Sequence, residues 1–244
     1  MLKKVLSFIR QHNMLSEGDI AVCGLSGGAD SVSLLLSLYE LRDELGISVE
    51  ALHVNHCLRG EESDRDQEFC RDLCKRLGIP FTAVSCDVMG YAKEHSLSCE
   101  EAARELRYDI FAKHTIDKKL ATAHNADDNL ETVILNLVRG SGLKGISGIT
   151  PARDNIIRPL LAVSRAEIEE FLKKHDQDYV TDSTNLSDDY TRNRIRHNII
   201  PVMKSLNTSM IETSVRSIST LRAENDLIDR MTDEAAALHQ TGSG

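Results

Sequence analysis

Residues 19–31 read Asp-Ile-Ala-Val-Cys-Gly-Leu-Ser-Gly-Gly-Ala-Asp-Ser, and this stretch decides the fold class. The apolar run at 19–24 predicts a short buried strand, and the leucine spacing across 30–45 predicts a helix directly after the turn. In open α/β sheets, ligands bind outside the carboxyl end of a strand, where such a turn lies. The stretch therefore predicts an α/β fold with a ligand site at residues 26–31.

The rest of the sequence up to residue 140 alternates β-like runs with amphipathic helical runs. Further strands are predicted at 47–54, 80–85 and 119–123, and helices at 2–11, 61–77, 98–113 and 125–139. This βαβα order predicts a doubly wound, mostly parallel, Rossmann-like sheet with helices on both faces. We expect a small helical region to follow, with helices at 164–174 and 207–239.

Composition excludes several classes of protein. Apolar residues make up 41% and charged residues 27% of the 244 residues, which is ordinary for a globular protein and unlike a disordered one. No apolar run approaches the roughly 20 residues of a membrane helix. Arg10 interrupts the start of the chain before a signal-peptide core can form. We therefore expect a cytoplasmic protein with no membrane partner.

The six cysteines include no Cys-x-x-Cys pair. A cytoplasmic chain of this length can bury a large core without disulfides, so we expect reduced, structural thiols. A zinc or iron–sulfur site is not expected, since its usual ligand spacing is absent.

The turn after the first strand combines groups that suit a bound phosphate with one that does not. Its residues are Ser26, Gly27, Gly28, Ala29, Asp30 and Ser31. The glycines let the backbone approach an anion, the helix start offers free N–H groups, and the serines add hydroxyl donors. A carboxylate repels phosphate, so Asp30 predicts a bridging Mg²⁺. The turn lacks the lysine of the Walker loop and does not follow the dinucleotide pattern.

Two more groups of polar residues are candidates for the same site. His53 and Asn55 end the second strand, where turn formation is the alternative explanation. Arg104 and Arg107 share a helix face, and the alternative there is a salt-bridged surface with Glu100 and Glu101 as partners.

Carboxylates cluster after the strand at 119–123. His124 ends that segment, and Asp128 and Glu131 then share one face of the following helix. The helix dipole alone could explain acidic residues in a first turn. With Asp127 beside them, these carboxylates could also hold Mg²⁺ or receive an ammonium group.

Charge distribution bears on a nucleic-acid partner. The formal net charge of −9 argues weakly against one. Residues 190–211 nevertheless contain several basic residues, Arg196 among them, and no Asp or Glu. A local basic patch on an acidic protein is therefore compatible with RNA binding.

Residues 26–31 resemble the pyrophosphate loop, Ser-Gly-Gly-x-Asp-Ser, of the N-type ATP pyrophosphatases. Six further motifs, in their order and spacing, resemble those of tRNA(Ile)-lysidine synthetases. They are HVNHCLR at 53–59, AARELRY at 102–108, ATAHNADDNLET at 121–132, RGSGLKG at 139–145, RPLL at 158–161 and RNRIR at 192–196. The resemblance covers about residues 1–205 and implies an adenine nucleotide alpha hydrolase-like fold.

The resemblance implies a carbon–nitrogen ligase. Such an enzyme uses ATP and Mg²⁺ to join free L-lysine to C2 of the wobble cytidine of tRNA(Ile) with a CAU anticodon. The cytidine is first adenylated, and AMP and pyrophosphate are released. The implied catalytic residues are Asp30, Arg104, Arg107, His124, Asp128, Glu131 and Arg196. The implied cofactor-binding residues are Ser26, Gly27, Gly28, Ala29, Asp30, Ser31, His53 and Asn55, with Asp30 as the magnesium ligand.

Members of this family commonly carry further C-terminal domains that help to grip the tRNA. We therefore expect a catalytic domain at 1–205, a helical linker at 206–240 whose following region is missing, and an expression remnant at 241–244. A homodimer is compatible with the resemblance.

Two other functions compete with this interpretation. One is a tRNA thiolase of the same superfamily, an alternative that Cys57 keeps open beside the predicted site. The other is a non-catalytic nucleotide-binding module, which would not need several carboxylates and arginines beyond the loop.

Overall fold

The structure is a computed structural model that describes residues 1–58, 60–181 and 191–241. The chain divides into two compact units. The first contains Met1–Asn125 and Pro151–Ser183, and the second contains Ala126–Thr150 and Thr184–Gly244. Arg59 of the strand-end motif and residues 242–244 of the predicted remnant lie outside the described residues.

The first unit is built on a six-stranded sheet in the order β3-β2-β1-β4-β6-β5. The strands are β1 (Ile20–Gly24), β2 (Ser48–Asn55), β3 (Phe81–Ser85), β4 (Lys119–Ala121), β5 (Ala152–Arg153) and β6 (Ile156–Ile157). All neighbouring pairs are parallel except β5 with β6. The predicted mostly parallel α/β fold is confirmed. The two-residue strands β5 and β6 were not predicted, because so short a hairpin has no readable periodicity.

The described residues of this unit form six helices. They are α1 (Leu2–Gln11), α2 (Ala29–Leu45), α3 (Glu61–Leu77), α4 (Val88–His95), α5 (Cys99–His114) and, after the last strand, α8 (Arg165–Lys174). Capping boxes open α5 at Ser98 and α8 at Ser164. Helix α4 was not predicted, since it spans only about two turns and contains Gly90, which weakens a helical pattern. Asp87 caps it by accepting from the Gly90 amide.

The central strand β1 lies between β2 and β4, so its middle residues are buried on both faces. Cys23 of this strand packs with Cys70 and Cys74 of α3 in the main core. Burial raises the pKa of the Cys70 and Cys74 thiols to about 12. All six cysteines are free thiols: Cys23, Cys70 and Cys74 are buried, whereas Cys57 and Cys99 are exposed.

The second unit is helical. It contains α6 (Ala126–Val138), α7 (Leu143–Ile146), α9 (Thr191–Arg194), a π-helical segment (Ile195–Ile199), α10 (Ile200–Leu206) and α11 (Met210–Thr241). Apolar side chains of α6 pack with those of the π-helical segment, α10 and α11. In the ranges that the structure describes, no helix is long and apolar enough to cross a membrane.

Candidate functional site

The turn between β1 and α2 is organised by the Ser31 hydroxyl. Its Oγ accepts from the Ser26 amide at 3.2 Å and donates to the Gly28 carbonyl at 3.0 Å. The Ser26 hydroxyl lies 3.1 Å from it. Because one side chain holds both ends of the turn, the loop keeps a defined shape at the N-terminus of α2. That helix start presents the amides that favour an anion.

Gly27 is required by the backbone of the loop. Its φ is +91°, a conformation that residues with a Cβ rarely adopt. A Cβ built there would lie 3.3 Å from the Val180 side chain, and the Gly27 carbonyl accepts from the Val180 amide at 2.9 Å. The loop is therefore held from its outer side by a segment more than 150 residues later in the chain.

Asp30 is held by two residues that the sequence analysis did not select for this role. Its Oδ1 accepts from Asn125 Nδ2 at 3.0 Å, and its Oδ2 accepts from Arg165 Nη1 at 2.8 Å. Glu169 accepts from Arg165 Nε at 2.8 Å and orients the guanidinium from behind. The capping-box pattern at Ser164 marks the helix that carries Arg165, but nothing local connects that helix to Asp30.

The groups around Asp30 fit a magnesium ion. The Asp30 carboxylate is 32% exposed, so it can exchange hydrogen bonds for a metal contact. Mg²⁺ is commonly held by one or two carboxylates together with waters and substrate phosphates, and it prefers hard oxygen ligands. The Ser26 and Ser31 hydroxyls add oxygen atoms of this kind in the adjoining loop.

At the end of β2, the two predicted nucleotide-binding residues hold neighbouring backbone. His53 is buried, and its Nδ1 lies 2.8 Å from the carbonyl oxygen of Leu25, directly before the loop. Burial lowers the pKa of His53, so the ring is neutral near pH 7. Asn55 is also buried, and its Oδ1 accepts from the Cys57 amide at 2.9 Å. Both side chains thus shape the segments beside the loop.

The predicted arginines on α5 are exposed. Arg104 lies over the Tyr108 ring with its Cζ 5.1 Å from the centroid. The Glu101 side chain accepts a hydrogen bond from the Ser98 amide in the capping box of α5. Within the described chain, neither Arg104 nor Arg107 has a carboxylate within 4.0 Å, so the alternative of a salt-bridged face is not found there. The two cations remain available to an anionic ligand.

His124 follows β4, which is the strand next to β1. Its Nδ1 lies 3.1 Å from the Thr122 hydroxyl. Since β1 and β4 are parallel, His124 and the loop come from the carboxyl ends of neighbouring strands. The first unit therefore brings His124, Asn125 and the loop residues to one edge of the sheet.

In the second unit, Asp128 and Glu131 are bound to two arginines. Arg196 Nε donates to Glu131 Oε1 at 2.6 Å, and its Nη2 donates to Glu131 Oε2 at 2.9 Å. Arg192 Nε donates to Glu131 Oε2 at 2.8 Å. Both arginines reach Asp128 Oδ1 at 3.2 Å. We call these four residues the acid–arginine cluster.

The cluster joins predicted and unselected residues. Asp128, Glu131 and Arg196 were predicted as site residues and are brought together. Arg192 was counted in the basic segment 190–211 and in the RNRIR motif but was not predicted as a site residue. Its signal in the sequence is the spacing of four residues from Arg196, which on a helix places both side chains on one face.

Comparisons with known proteins agree with the loop geometry. A family model described as a PP-loop domain matches residues 2–203. The tRNA(Ile)-lysidine synthase of Clostridioides difficile (strain 630) is 44% identical over 232 residues, covering 93% of this chain and 50% of the relative. That of Bacteroides thetaiotaomicron is 41% identical over 236 residues, covering 96% of this chain and 54% of the relative. The chain thus spans about half the length of these curated relatives.

Among solved structures, the U34-tRNA thiolase of Methanococcus maripaludis with its [4Fe-4S] cluster matches with a TM-score of 0.67 at 22% identity. It covers 90% of this chain and 78% of that one. This likeness concerns the fold alone. The family match extends over most of the chain, and the serine-organised loop between a strand and a helix agrees with it. This chain therefore belongs to the PP-loop family.

Proposed function

We propose that this chain carries the catalytic activity of a tRNA(Ile)-lysidine synthetase. The reaction joins the ε-amine of free L-lysine to C2 of the wobble cytidine in tRNA(Ile) with a CAU anticodon, using ATP. The observation that carries the proposal is the loop at residues 26–31, in a chain whose curated relatives bear this name at 36–44% identity. A cytoplasmic location and a homodimer remain predictions of the same interpretation.

The first step is adenylation of the cytidine. The C2 oxygen is a poor leaving group, so its attack on the α-phosphorus of ATP, with loss of pyrophosphate, activates it. Charge develops on the phosphates in this step, and donors fixed in advance stabilise it without reorganisation. The loop amides and the Ser26 and Ser31 hydroxyls supply such donors. Mg²⁺ held by Asp30 would neutralise further phosphate charge.

Two arginines and a histidine have roles in the same step. Arg104 and Arg107 are free to bind phosphate oxygens, and His124 is placed at the same strand ends as the loop. The cytosine must leave its stack for its C2 oxygen to meet ATP, as bases in chemically modified RNA generally do.

The second step is attack by lysine. Its amine displaces AMP from C2, and the amine loses a proton as the carbon–nitrogen bond forms. Asp128 and Glu131 would bind the lysine ammonium, and one of them would accept the proton whose loss frees the lone pair for attack; the proton lost as the carbon–nitrogen bond forms would pass to solvent. Arg196, which forks onto Glu131, would keep that carboxylate in a fixed orientation.

The direct test is ATP-dependent incorporation of labelled lysine into bulk tRNA in the presence of Mg²⁺. Label at the wobble cytidine of tRNA(Ile) is the expected result. Pyrophosphate release that does not depend on lysine and yields no labelled RNA would favour a thiolase. Absence of any pyrophosphate release would favour a nucleotide-binding module.

The variants Asp30→Asn and Asp128→Ala together distinguish the adenylation step from the attack by lysine. If Asp30 holds Mg²⁺, the variant loses ATP–pyrophosphate exchange by at least about tenfold, since removing a charged contact to the transition state costs of this order. Asp128→Ala should instead raise the lysine requirement while exchange continues. Retained ATP–pyrophosphate exchange in Asp30→Asn would show that Asp30 does not hold Mg²⁺.

A further inference from the structure

The acid–arginine cluster has a charge arrangement that bears on lysine binding. Glu131 is 1% exposed and Asp128 is 17% exposed, whereas the arginine side chains are about 40% exposed. The carboxylates therefore form the floor of the cluster and the guanidinium groups form its outer side. A cationic ligand that approaches the carboxylates meets the two arginines first.

The two arginines hold the carboxylates differently. Arg196 makes a two-bond fork across both oxygens of Glu131, which is the stronger geometry for a guanidinium and a carboxylate. Arg192 makes one bond to Glu131 Oε2, one to Asp128 Oδ1 at 3.2 Å, and a long one to the Asp128 carbonyl at 3.4 Å. Of the two, Arg192 is the one whose bonds are more easily exchanged.

The charges show what an exchange would achieve. Both guanidinium groups would repel an ammonium that approached the carboxylates. If the Arg192 side chain turns away, one of these two cations is gone and an ammonium can take over its bonds to Asp128 and Glu131. The long, already solvated side chain of Arg192 can rehydrate its charge outside.

We propose that the Arg192 guanidinium occupies the position of an ammonium group between Asp128 and Glu131. The side-chain ammonium of lysine displaces it on binding. This inference rests on the proposed function, because it takes lysine as the ligand. It makes Arg192 a specificity-determining residue, since a ligand without a cation to replace it on the two carboxylates cannot enter.

The test is lysine binding to the full chain, measured by isothermal titration calorimetry without ATP or RNA. Arg192→Gln removes the competing charge and is expected to tighten lysine binding roughly two- to fivefold, the equilibrium effect of one partly exposed ion pair. Arg194→Gln is the matched control. It lies on the same short helix, is exposed, and is expected to bind lysine as the wild type does.

Two further variants guard against an effect of folding. Arg192→Lys keeps the charge but not the planar fork, and its lysine affinity should lie between those of the wild type and Arg192→Gln. Arg196→Gln should weaken lysine binding, because it frees Glu131 from its fork. Nε-acetyllysine, which lacks the side-chain ammonium, should show no gain in the Arg192→Gln variant.

Unchanged or weaker lysine binding in Arg192→Gln, with a normal Arg194→Gln and normal circular dichroism, would overturn the proposal and make Arg192 a structural brace. Absence of lysine binding in every variant would overturn it too. The RNA-labelling assay then tells the two failures apart: labelled RNA would preserve the proposed function, and its absence would reject that as well.

Discussion

Two serines in α2 show how context decides what one hydroxyl does. Ser31 Oγ makes three contacts that shape the loop. Ser33, two positions later, is fully buried, and in the described part of the chain its Oγ has no hydrogen-bond partner. Burial of a hydroxyl without a partner costs desolvation free energy that no hydrogen bond offsets. The same side chain is thus stabilising at one position and destabilising at the other.

Ser31→Ala should therefore lower the free energy of unfolding by about 1–2 kcal/mol, and Ser33→Ala should raise it by up to about 1 kcal/mol. Denaturant unfolding measures both. ATP binding, followed by calorimetry, should weaken in Ser31→Ala and stay unchanged in Ser33→Ala. Equal losses of stability in the two variants would contradict this account of the loop.

At the scale of the element, helix α8 links a local signal to a distant contact. Ser164 accepts from the Glu167 amide, and Glu167 in return accepts from the Ser164 amide at 2.8 Å. This capping box fixes the first turn of α8, where Arg165 lies. Since Arg165 reaches Asp30, the geometry of the helix start also sets the position of a cation at the loop.

Ser164→Ala is expected to cost about 1 kcal/mol of unfolding free energy, the usual effect of losing such a cap. Ser98→Ala removes the matching box of α5 on an exposed helix start and should cost somewhat less. Thermal denaturation compares the two variants. In addition, Ser164→Ala should shift the Mg²⁺ concentration for half-maximal ATP binding, and Ser98→Ala should not. An identical magnesium dependence in the two variants would show that the Ser164 cap does not affect the loop.

At the scale of the whole molecule, the two units are interleaved along the chain. The second unit takes residues 126–150 from the middle and completes itself with the C-terminal helices. Helix α11 contributes Ile211 to the core around α6, and Ile218 lies beside Gly148. Arg222 also donates to the Ile149 carbonyl at 2.6 Å. The first half of α11 is thus part of this unit, while Leu227, Ile228 and Met231 are about half exposed.

A chain ending at residue 206 should therefore expose the amides of α6 to faster hydrogen exchange, because the apolar partners from α11 are lost. A chain ending at residue 226 keeps those partners and should exchange like the full chain. Hydrogen–deuterium exchange with mass spectrometry reports on α6 directly. Unchanged protection of α6 in the shorter chain would show that α10 and the π-helical segment suffice.

Much of this protein was readable from its sequence, because the signals are local. Strand β1, the loop and helix α2 follow one another within 26 residues, and their periodicity, glycines and apolar runs act through neighbouring backbone alone. The same holds for the capping boxes and for the shared helix face of Asp128 and Glu131. The order of strands and helices then restricts the sheet to a mostly parallel arrangement.

Only the tertiary structure decided which side chains meet. Arg165 pairs with Asp30 across 135 residues, and Arg192 pairs with Glu131 across 61 residues. No periodicity connects such positions, because their approach depends on how whole elements pack. A carboxylate in sequence shows its charge but not its partner. For that reason the sequence predicted the acidic groups of this protein and Arg196, and the structure alone revealed which arginine holds which carboxylate.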